Sequence, residues 1–316
     1  MGLEPLLIPI GFVALLFGAK WLVDGASRLS ISLGVRPFVI GITIVAFGSS
    51  APEAALAVSA VEAGTGEIVL GNIIGSNIAN IGLVLGIAAM ICPVVIIYST
   101  LRKEVWAMVA VVVLITILAL DGGYSLLDGM FLILLNVTFV LLLYRSLMLR
   151  PPPEKVRVDF GKAIPYKYDR LVNLVSILVG LAVLLVGAQL IVDGSIELAA
   201  MLKVDELTIG LLLLALGTSL PELSITVTAA CRKENDLLIS NVLGSNIFNS
   251  LFVVGLAASM RPIDVPSAML WFEFPMMVAL SVLLLIMIRS RSMLERKEAM
   301  ALLILYALYV VAVLVL

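Results

Sequence analysis

The sequence predicts an all-α polytopic membrane protein with ten transmembrane helices arranged as two inverted five-helix repeats. Three observations predict this fold class: the composition, the recurring apolar stretches and a match between the two halves of the chain. Of the 316 residues, 62% are hydrophobic and 13% are charged, whereas about a quarter of residues are charged in a soluble domain. A bilayer core about 30 Å thick needs roughly 20 apolar residues per helix, and such stretches recur throughout the chain.

Hydropathy predicts the ten spans in order. They lie near 5–27, 36–60, 70–92, 104–120, 126–148, 170–195, 206–230, 237–259, 268–288 and 299–316. A segment rich in proline and charge separates the fifth span from the sixth. We therefore divide the chain into a first repeat of five helices at 1–148, a linker loop at 149–169 and a second repeat of five helices at 170–316.

The two halves match at one constant difference in residue number, that between Glu53 and Glu222, which we call the repeat offset. The repeat offset, without a gap, relates further pairs: Gly18 and Gly187, Asp24 and Asp193, Gly41 and Gly210, Pro52 and Pro221, Asn72 and Asn241, Ser76 and Ser245, Asn80 and Asn249, and Pro93 and Pro262. Because five spans per half is an odd number, the second half must enter the membrane from the opposite side. Inverted repeats are the architecture of many secondary transporters, and channels can share it.

The distribution of basic residues predicts the orientation of the chain. Lys and Arg collect in cytoplasmic loops of membrane proteins. If the linker loop is cytoplasmic, every Lys and Arg of the chain lies on the cytoplasmic side except Lys20, Lys203 and Arg261. We therefore expect a multi-pass protein of the cell membrane with a cytoplasmic linker loop and both termini outside.

The composition also excludes several functional classes. A net charge of −2 argues against a nucleic-acid partner, which would require a basic surface. The chain has no histidine, and its two cysteines, Cys92 and Cys231, lack the spacing of a metal site. We expect no cofactor. An intramembrane enzyme would need a catalytic pair or a metal, so we expect the protein not to be an enzyme.

Two spans contain a proline followed directly by a glutamate. The stretches FGSSAPE and LGTSLPE end at Glu53 and Glu222, next to Pro52 and Pro221. Proline cannot donate a hydrogen bond to the carbonyl four residues earlier, so it breaks the helix. Freed carbonyls survive inside a membrane only where protein, water or an ion satisfies them. A carboxylate at that depth is by default a candidate functional group, and we expect no basic residue there to pair with it.

Polar residues follow one face of the third and eighth predicted spans. Asn72, Ser76 and Asn80 are four residues apart and share a helical face. The repeat offset reproduces this pattern at Asn241, Ser245 and Asn249. We expect these faces to line one polar site, because carboxylates, hydroxyls and carbonyl oxygens are the ligands that Ca²⁺ prefers. The neighbouring glycines are expected to permit close helix packing instead: Gly71, Gly75, Gly82 and Gly86.

These motifs resemble those of a known family. GSSAPE and GTSLPE, followed by GNIIGSNIANIG and NVLGSNIFN, closely resemble the two α-repeats of the cation/calcium exchanger superfamily. The match to its prokaryotic sodium/calcium exchanger branch extends over nearly the whole chain. The resemblance implies four clustered cation sites at the centre of a ten-helix fold. It also implies that the first and sixth helices slide across the remaining bundle to alternate access.

The resemblance further implies which residues would hold the ions. All of them lie on the interrupted spans or on the two polar faces. The calcium site would use Glu53 and Glu222 with Ser49 and Thr218. One sodium site would use the carbonyl of Ala46 with Ser50, Ser245 and Glu53, and its twin the carbonyl of Ala215 with Ser219, Ser76 and Glu222. Asn80 and Asn249 would frame the middle position.

The chain departs from the family pattern at three positions. Ser49 stands where threonine is common, which keeps the hydroxyl. Asn249 stands where potassium-dependent exchangers carry aspartate, so the resemblance does not favour potassium coupling. Ser240 replaces a glycine before the second polar face, a change that we expect to affect packing only.

The two carboxylates also predict the type of transport. One Ca²⁺ cancels both charges, and several Na⁺ can do likewise, so competition for the glutamates makes the two loads mutually exclusive. An antiporter needs this exclusivity, and we predict Na⁺/Ca²⁺ exchange by alternating access, with Na⁺, Ca²⁺ and the lipid bilayer as partners. Exchange of H⁺ for Ca²⁺ remains an alternative, since a proton neutralises each glutamate. A cation channel, which would dissipate gradients without coupling, is a more distant one.

Overall fold

The computed structural model describes residues 6–96, 98–148, 170–201, 217–290 and 293–315. Within these ranges nine helices are long and apolar enough to cross a membrane. They are Leu7–Leu33, Pro37–Glu62, Gly66–Ile91, Leu101–Asp121, Leu126–Arg145, Arg170–Glu197, Asn235–Met260, Ser267–Ser290 and Arg296–Val315. The predicted all-α polytopic fold class is therefore confirmed.

The individual elements subdivide these spans. The helices are α1 (Leu7–Leu33), α2 (Pro37–Ile40), α3 (Ala46–Ser49), α4 (Ala51–Glu62), α5 (Gly66–Ala79), α6 (Leu85–Ile91), α7 (Tyr98–Leu118), α8 (Leu126–Met148), α9 (Arg170–Met201), α10 (Leu220–Cys231), α11 (Asn235–Phe248), α12 (Val254–Met260), α13 (Ser267–Trp271), α14 (Glu273–Ser290) and α15 (Arg296–Val315). In the described part of the chain, π-helical turns join consecutive helices at Gly41–Val45, Asn80–Val84 and Asn249–Val253. The residues that the structure describes also form four two-residue strands, which hydropathy does not predict: β1 (Val94–Val95), β2 (Gly123–Tyr124), β3 (Ile263–Asp264) and β4 (Met293–Leu294).

Two predicted segments lie wholly or partly outside the described residues. These are the whole linker at 149–169 and the first part of the seventh predicted span, including Ala215. The second part of that span is the helix α10, which is followed after a short connection by α11.

The first helix is longer than predicted. Hydropathy ends the first span near residue 27, whereas α1 continues to Leu33. Ser30 donates its hydroxyl proton to the carbonyl of Ser27, 2.6 Å away, so this polar side chain is satisfied within its own helix. The helix stops at Gly34, whose φ of 70° suits the left-handed cap that glycine readily adopts.

The repeat offset reappears in the element bounds. It carries α4 onto α10, α5 onto α11 and α6 onto α12, at both ends of each helix. It also carries the π-helical turn at Asn80–Val84 onto that at Asn249–Val253. The two small sheets pair antiparallel, β1 with β4 and β2 with β3. The duplicated sequence has therefore folded into duplicated local structure.

The first helices of the two halves run antiparallel in direct contact. A Cβ atom on Gly11 would come 2.6 Å from the carbonyl oxygen of Gly187, and one on Gly18 would come 2.6 Å from the amide nitrogen of Leu184. A Cβ atom on Gly25 would come 3.0 Å from the carbonyl oxygen of Asn173. Residue numbers rise along α1 as they fall along α9, so the corresponding helices of the two halves have opposite directions.

Two ends of the bundle can be named from these contacts. We call the end where α8 finishes and α9 begins the linker end, and the opposite end the far end. Arg170 at the start of α9 donates to the carbonyl of Ser32 near the end of α1, 3.3 Å away. The connection between α10 and α11 also lies at the linker end, because Arg36 pairs there with Asp236.

The core of the bundle is formed by the two spans that carry the polar faces. In the span Asn235–Met260, 94% of the residues in its most apolar window are buried, and in Gly66–Ile91 the share is 78%. In Leu126–Arg145 and Arg296–Val315 it is 17%, so those spans form the outer layer. Two of the predicted packing glycines do pack closely: Cβ atoms on Gly82 and Gly86 would come within 3 Å of Tyr306 and Leu303.

Candidate cation site

The second span is interrupted where the sequence predicts the break. The helix α3 ends at Ser49, Ser50 has φ −87° and ψ 12°, and α4 begins at Ala51 with Pro52 in its first turn. Glu53 also lies in this first turn. The start of a helix carries partial positive charge from its unpaired N–H groups, which favours a carboxylate there. The break thus positions Glu53 inside the bundle.

The second half repeats this arrangement. Ser219 has φ −87° and ψ −1°, α10 begins at Leu220, and Pro221 and Glu222 occupy its first turn. Gly217 and Thr218, just before the break, are helical. Each half therefore contributes one interrupted helix and one carboxylate.

Both carboxylates are buried and incompletely paired. Glu53 and Glu222 are each 1% exposed, and they lie close enough to interact electrostatically. The Oε2 atom of each has no hydrogen-bond donor. The salt bridges of Arg36 with Asp236 and of Arg232 with Asp24 do not involve these glutamates. A buried acceptor without a donor costs roughly 1–3 kcal/mol, and more when it is charged.

Hydroxyl groups from the interrupted second span contact the second half of the chain. Ser50 donates to Glu222 Oε1, 3.2 Å away. Ser49 Oγ lies 3.4 Å from both Ser245 Oγ and Asn241 Oδ1. Ser49, Ser50 and Ser245 are 0% exposed. The structure therefore brings these candidate residues together from two repeats.

The corresponding contacts, from the second interrupted helix to the first half of the chain, involve Thr218. Its Oγ1 accepts a hydrogen bond of 3.1 Å from Asn72 Nδ2 and lies 3.5 Å from Ser76 Oγ. Ser76 is 0% exposed. Ser219 is 3% exposed and sits at the break itself.

The carbonyl of Ala46 is already engaged in this structure. It accepts the backbone N–H of Ser50 at 3.1 Å and the hydroxyl of Ser49 at 3.3 Å. The Ser49 hydroxyl has a single proton, which Asn241 Oδ1 can also accept at 3.4 Å, and a carbonyl oxygen has two lone pairs. When the Ser49 proton points to Asn241, one lone pair of the Ala46 carbonyl is open to an ion.

A glycine allows the two site helices to approach. A Cβ atom on Gly244 would come 2.7 Å from the Cβ of Ala46 and 3.0 Å from the Cα of Ile42. The absence of a side chain on Gly244 therefore lets α11 lie directly against the second span and brings Ser245 to it. Ser240, one turn earlier, packs its hydroxyl against Gly41 and donates it to the carbonyl of Leu237 at 3.0 Å, a structural contact.

The two middle amides lie at the start of π-helical turns. Asn80 and Asn249 each open such a turn and are 1% and 0% exposed. Wider π-helical turns often occur at functional sites. Asn80 Nδ2 donates to Asn246 Oδ1 at 3.0 Å, whereas Asn80 Oδ1 and both polar side-chain atoms of Asn249 have no partner.

Sequence reasoning missed a second layer of buried amides. Asn77 and Asn246 are both 0% exposed, and their hydrogen bonds cross between the two halves of the chain. They lie one position beyond the predicted polar faces, so helical periodicity does not select them. The repeat offset relates them to each other and would have identified them.

Asp24 and Asp193, which the repeat offset relates, make contacts of other kinds. Asp24 forms an ion pair with Arg232. Asp193, its counterpart in the second half, is exposed and accepts a hydrogen bond of 2.8 Å from Gln189.

The set of candidate ligand atoms suits hard cations. Two carboxylate oxygens and the oxygens of Asn80 and Asn249 are buried acceptors without donors, and the Ser50 hydroxyl donates to the other oxygen of Glu222. Such oxygen-rich sets bind Ca²⁺ and similar ions. Interrupted helices of two inverted repeats that meet at a buried polar site are typical of secondary-active transporters.

The comparison with known families identifies the group within this class. The family model described as "Sodium/calcium exchanger protein" matches residues 4–145 and 172–315. The chain therefore belongs to the sodium/calcium exchanger family.

Individual relatives and solved structures agree with this assignment. The chain is 33% identical to "Putative antiporter CaxA" of Alkalimonas amylolytica over 88% of this chain and 87% of the relative. It is 31% identical to "Sodium/calcium exchanger MaX1" of Methanosarcina acetivorans over 97% of each. The solved structure of the sodium-calcium exchanger NCX_Mj soaked with 10 mM Na⁺ matches with a TM-score of 0.85, 29% identity, and coverage of 98% of this chain and 99% of the other.

Proposed function

We propose that the protein exchanges Na⁺ for Ca²⁺ across the cell membrane by alternating access, at a site built around Glu53 and Glu222. The observation that carries the proposal is the pair of buried Oε2 atoms without hydrogen-bond donors. Two charges held in the bundle without a basic partner among the described residues require a cation. One Ca²⁺ neutralises both, and Na⁺ ions compete for the same oxygens.

The relatives support the choice of ions. MaX1 is described as a sodium/calcium exchanger, and NCX_Mj was studied with Na⁺ and with Ca²⁺ or Sr²⁺. CaxA is described as a putative antiporter. The transported ions are substrates here, and we propose that the protein works as a transporter without a cofactor or an enzymatic step.

The proposed ligands follow the two-fold arrangement. We propose Glu53, Glu222, Ser49 and Thr218 for Ca²⁺. The flanking Na⁺ sites would use Ser50 with Ser245 and the Ala46 carbonyl, and Ser219 with Ser76 and the Ala215 carbonyl. The contacts of Ser50 with Glu222 and of Ser49 with Ser245 support this assignment. Asn80 and Asn249 would frame the middle position.

We also propose that the linker end faces the cytoplasm and that both termini lie outside. The argument is the excess of Lys and Arg at that end, including Arg36 and Arg232, against Glu62 and Glu67 at the far end. A fusion of alkaline phosphatase to the C-terminus should be active, because this enzyme folds only outside the cytoplasm. A fusion at the linker should be inactive, and the reverse pattern would contradict the orientation.

Transport in reconstituted vesicles tests the function. Vesicles loaded with Na⁺ and diluted into Na⁺-free buffer at constant pH should accumulate ⁴⁵Ca²⁺, and dissipating the Na⁺ gradient with an ionophore should stop the uptake. Uptake driven by a pH gradient alone would instead support H⁺/Ca²⁺ exchange. Calcium flux that needs no counter-ion would support a channel.

A further inference from the structure

Asn246 is a buried residue that the proposed ligand set does not include. It lies on α11, directly after Ser245, and is 0% exposed. Its Oδ1 accepts a hydrogen bond of 3.0 Å from Asn80 Nδ2. Its Nδ2 donates to the backbone carbonyl of Asn77 at 3.2 Å and contacts Met108 Sδ at 4.0 Å. Each polar atom of this carboxamide therefore has a partner.

The backbone carbonyl fixes how this carboxamide is turned. The carbonyl oxygen of Asn77 can only accept a hydrogen bond, so the Asn246 atom that faces it must be Nδ2. The opposite atom, which faces Asn80, is then Oδ1. Because that oxygen can only accept, Asn80 must present its Nδ2 to it. The orientation of the Asn80 side chain follows from that of Asn246 by hydrogen-bond chemistry alone.

This orientation leaves the oxygen of Asn80 available. Asn80 Oδ1 is buried and has no hydrogen-bond donor. Asn80 follows Ser76 by one helical turn, on the face that also carries Asn72. Without the bond to Asn246 the carboxamide could rotate and direct its NH₂ group to the site, and an NH₂ group repels a cation.

We propose that Asn246 is a positioning residue that holds the carboxamide oxygen of Asn80 toward the transported cation. The proposal rests on the proposed function, because it assumes that a cation occupies the site beside Asn80. Residues that orient metal ligands from outside the ligand shell commonly contribute about 10–100-fold to metal affinity. Asn246 would act in this way, without contacting the ion.

The equivalent arrangement in the other half is not formed. By the repeat offset, Asn77 corresponds to Asn246 and should hold Asn249, but Asn77 Nδ2 donates instead to Ser250 Oγ at 2.9 Å. Ser250 stands where the first half has Ile81, so only the second half offers this hydroxyl. Asn77 Oδ1 and both polar atoms of Asn249 lack partners. Asn77 is therefore a matched control: an equally buried amide that does not hold a candidate ligand.

A double-mutant cycle between Asn246 and Asn80 tests the proposal. Purified variants that elute as monodisperse protein are reconstituted, and the Ca²⁺ concentration at half-maximal Na⁺-driven uptake is measured with the maximal rate. We expect Asn246→Ala to raise this concentration about 10–100-fold. The double variant with Asn80→Ala should be no worse than Asn80→Ala alone, because Asn246 acts only through Asn80. Asn77→Ala should cause a smaller increase than Asn246→Ala.

A conservative variant distinguishes the loss of this hydrogen bond from a general folding defect. In its neutral form the side chain of Asn246→Asp keeps one oxygen that accepts from Asn80 and an O–H that donates to the Asn77 carbonyl. We therefore expect Asn246→Asp to restore the half-saturating Ca²⁺ concentration toward that of the wild type. Ca²⁺-induced stabilisation against heat, measured in detergent, gives the same ranking without transport.

The outcomes separate the two proposals. Additive effects of Asn246→Ala and Asn80→Ala, an equal effect of Asn77→Ala, or an Asn246→Asp protein as impaired as Asn246→Ala would each overturn the positioning role. A wild-type protein that shows neither Na⁺-driven Ca²⁺ uptake nor stabilisation by Ca²⁺ would instead overturn the proposed function.

Discussion

Ser50 and Glu222 are joined by a hydrogen bond of 3.2 Å, although 172 residues separate them in the chain. The hydroxyl comes from the helix break of the first repeat, and the carboxylate comes from that of the second. A site that links the two breaks in this way requires both repeats. Under the proposed function, a conformational change that moves one break relative to the other would therefore alter the coordination of the bound ion.

Neutralising either glutamate should abolish Ca²⁺ transport. Glu53→Gln or Glu222→Gln keeps the shape of the side chain and removes one of the two charges that balance Ca²⁺. We expect Na⁺-driven ⁴⁵Ca²⁺ uptake in vesicles to fall to the level of empty liposomes. Glu62→Gln is a matched control, because Glu62 lies on the same helix as Glu53 and is exposed. Full uptake by either site variant would refute the site assignment.

Removing the Ser50 hydroxyl should weaken ion binding without preventing folding. Ser50→Ala deletes a donor to Glu222 and a proposed Na⁺ ligand, and it creates only a small cavity. A hydrogen bond of about 1.4 kcal/mol corresponds to about a tenfold change. We expect the Na⁺ concentration that half-inhibits Ca²⁺ uptake to rise by that factor.

The control for Ser50→Ala lies on the same span. Ser59→Ala changes an exposed serine of α4 and should leave Na⁺ inhibition unchanged. An unchanged Na⁺ response in Ser50→Ala, with normal Ca²⁺ uptake, would remove Ser50 from the proposed Na⁺ site.

The sequence predicts those parts of the fold that occur in both halves of the chain. Proline fixes the two breaks, and the repeat offset recurs in the bounds of α4 and α10. The extra length of α1 could not be predicted from hydropathy, because Ser27 and Ser30 are polar but buried. Their burial depends on tertiary contacts, such as the hydrogen bond of 2.9 Å from Ser27 to Glu234.

The sequence likewise predicts only some of the residues of the candidate site. Charge and periodicity select Glu53 and Ser76, since a buried acid and a polar helical face are unusual in a membrane span. Neither signal selects Asn246, whose partners come from other helices. The engagement of the Ala46 carbonyl by Ser49 also depends on a side-chain rotamer, which a sequence does not specify.

Adding a methyl group at the crossing of α1 and α9 should destabilise the protein. A Cβ atom on Gly18 would come 2.6 Å from the backbone nitrogen of Leu184, so Gly18→Ala must push the two helices apart. Overpacking of this kind costs about 1–3 kcal/mol. We expect a lower melting temperature in detergent and reduced Ca²⁺ uptake.

Leu16→Ala is the comparison for this substitution. Leu16 lies on the same helix and is 64% exposed, so its truncation leaves the contact with α9 intact. If the Gly18→Ala protein were as stable and as active as the Leu16→Ala protein, this result would contradict the close contact between α1 and α9.

Breaking the ion pair between Asp24 and Arg232 should release α1 from the core at the linker end. The pair joins α1 to the connection between α10 and α11. By the repeat offset, the residue that corresponds to Arg232 is Ala63, so the sequence does not repeat this pair at Asp193. Side chains that are 33% and 24% exposed limit the coupling to about 0.5–1 kcal/mol.

We expect Arg232→Ala and Asp24→Asn each to lower the melting temperature, and the double variant to lower it by less than the sum of the two. If α1 slides along the core, as the family resemblance implies, Asp24 would separate from Arg232 in each transport cycle. Loss of the pair should therefore not reduce the maximal rate of Na⁺-driven Ca²⁺ uptake. Arg289→Ala, an exposed arginine on α14, should change neither quantity. Additive shifts in melting temperature would show that the two side chains act independently, and a large fall in rate would show that the pair takes part in transport itself.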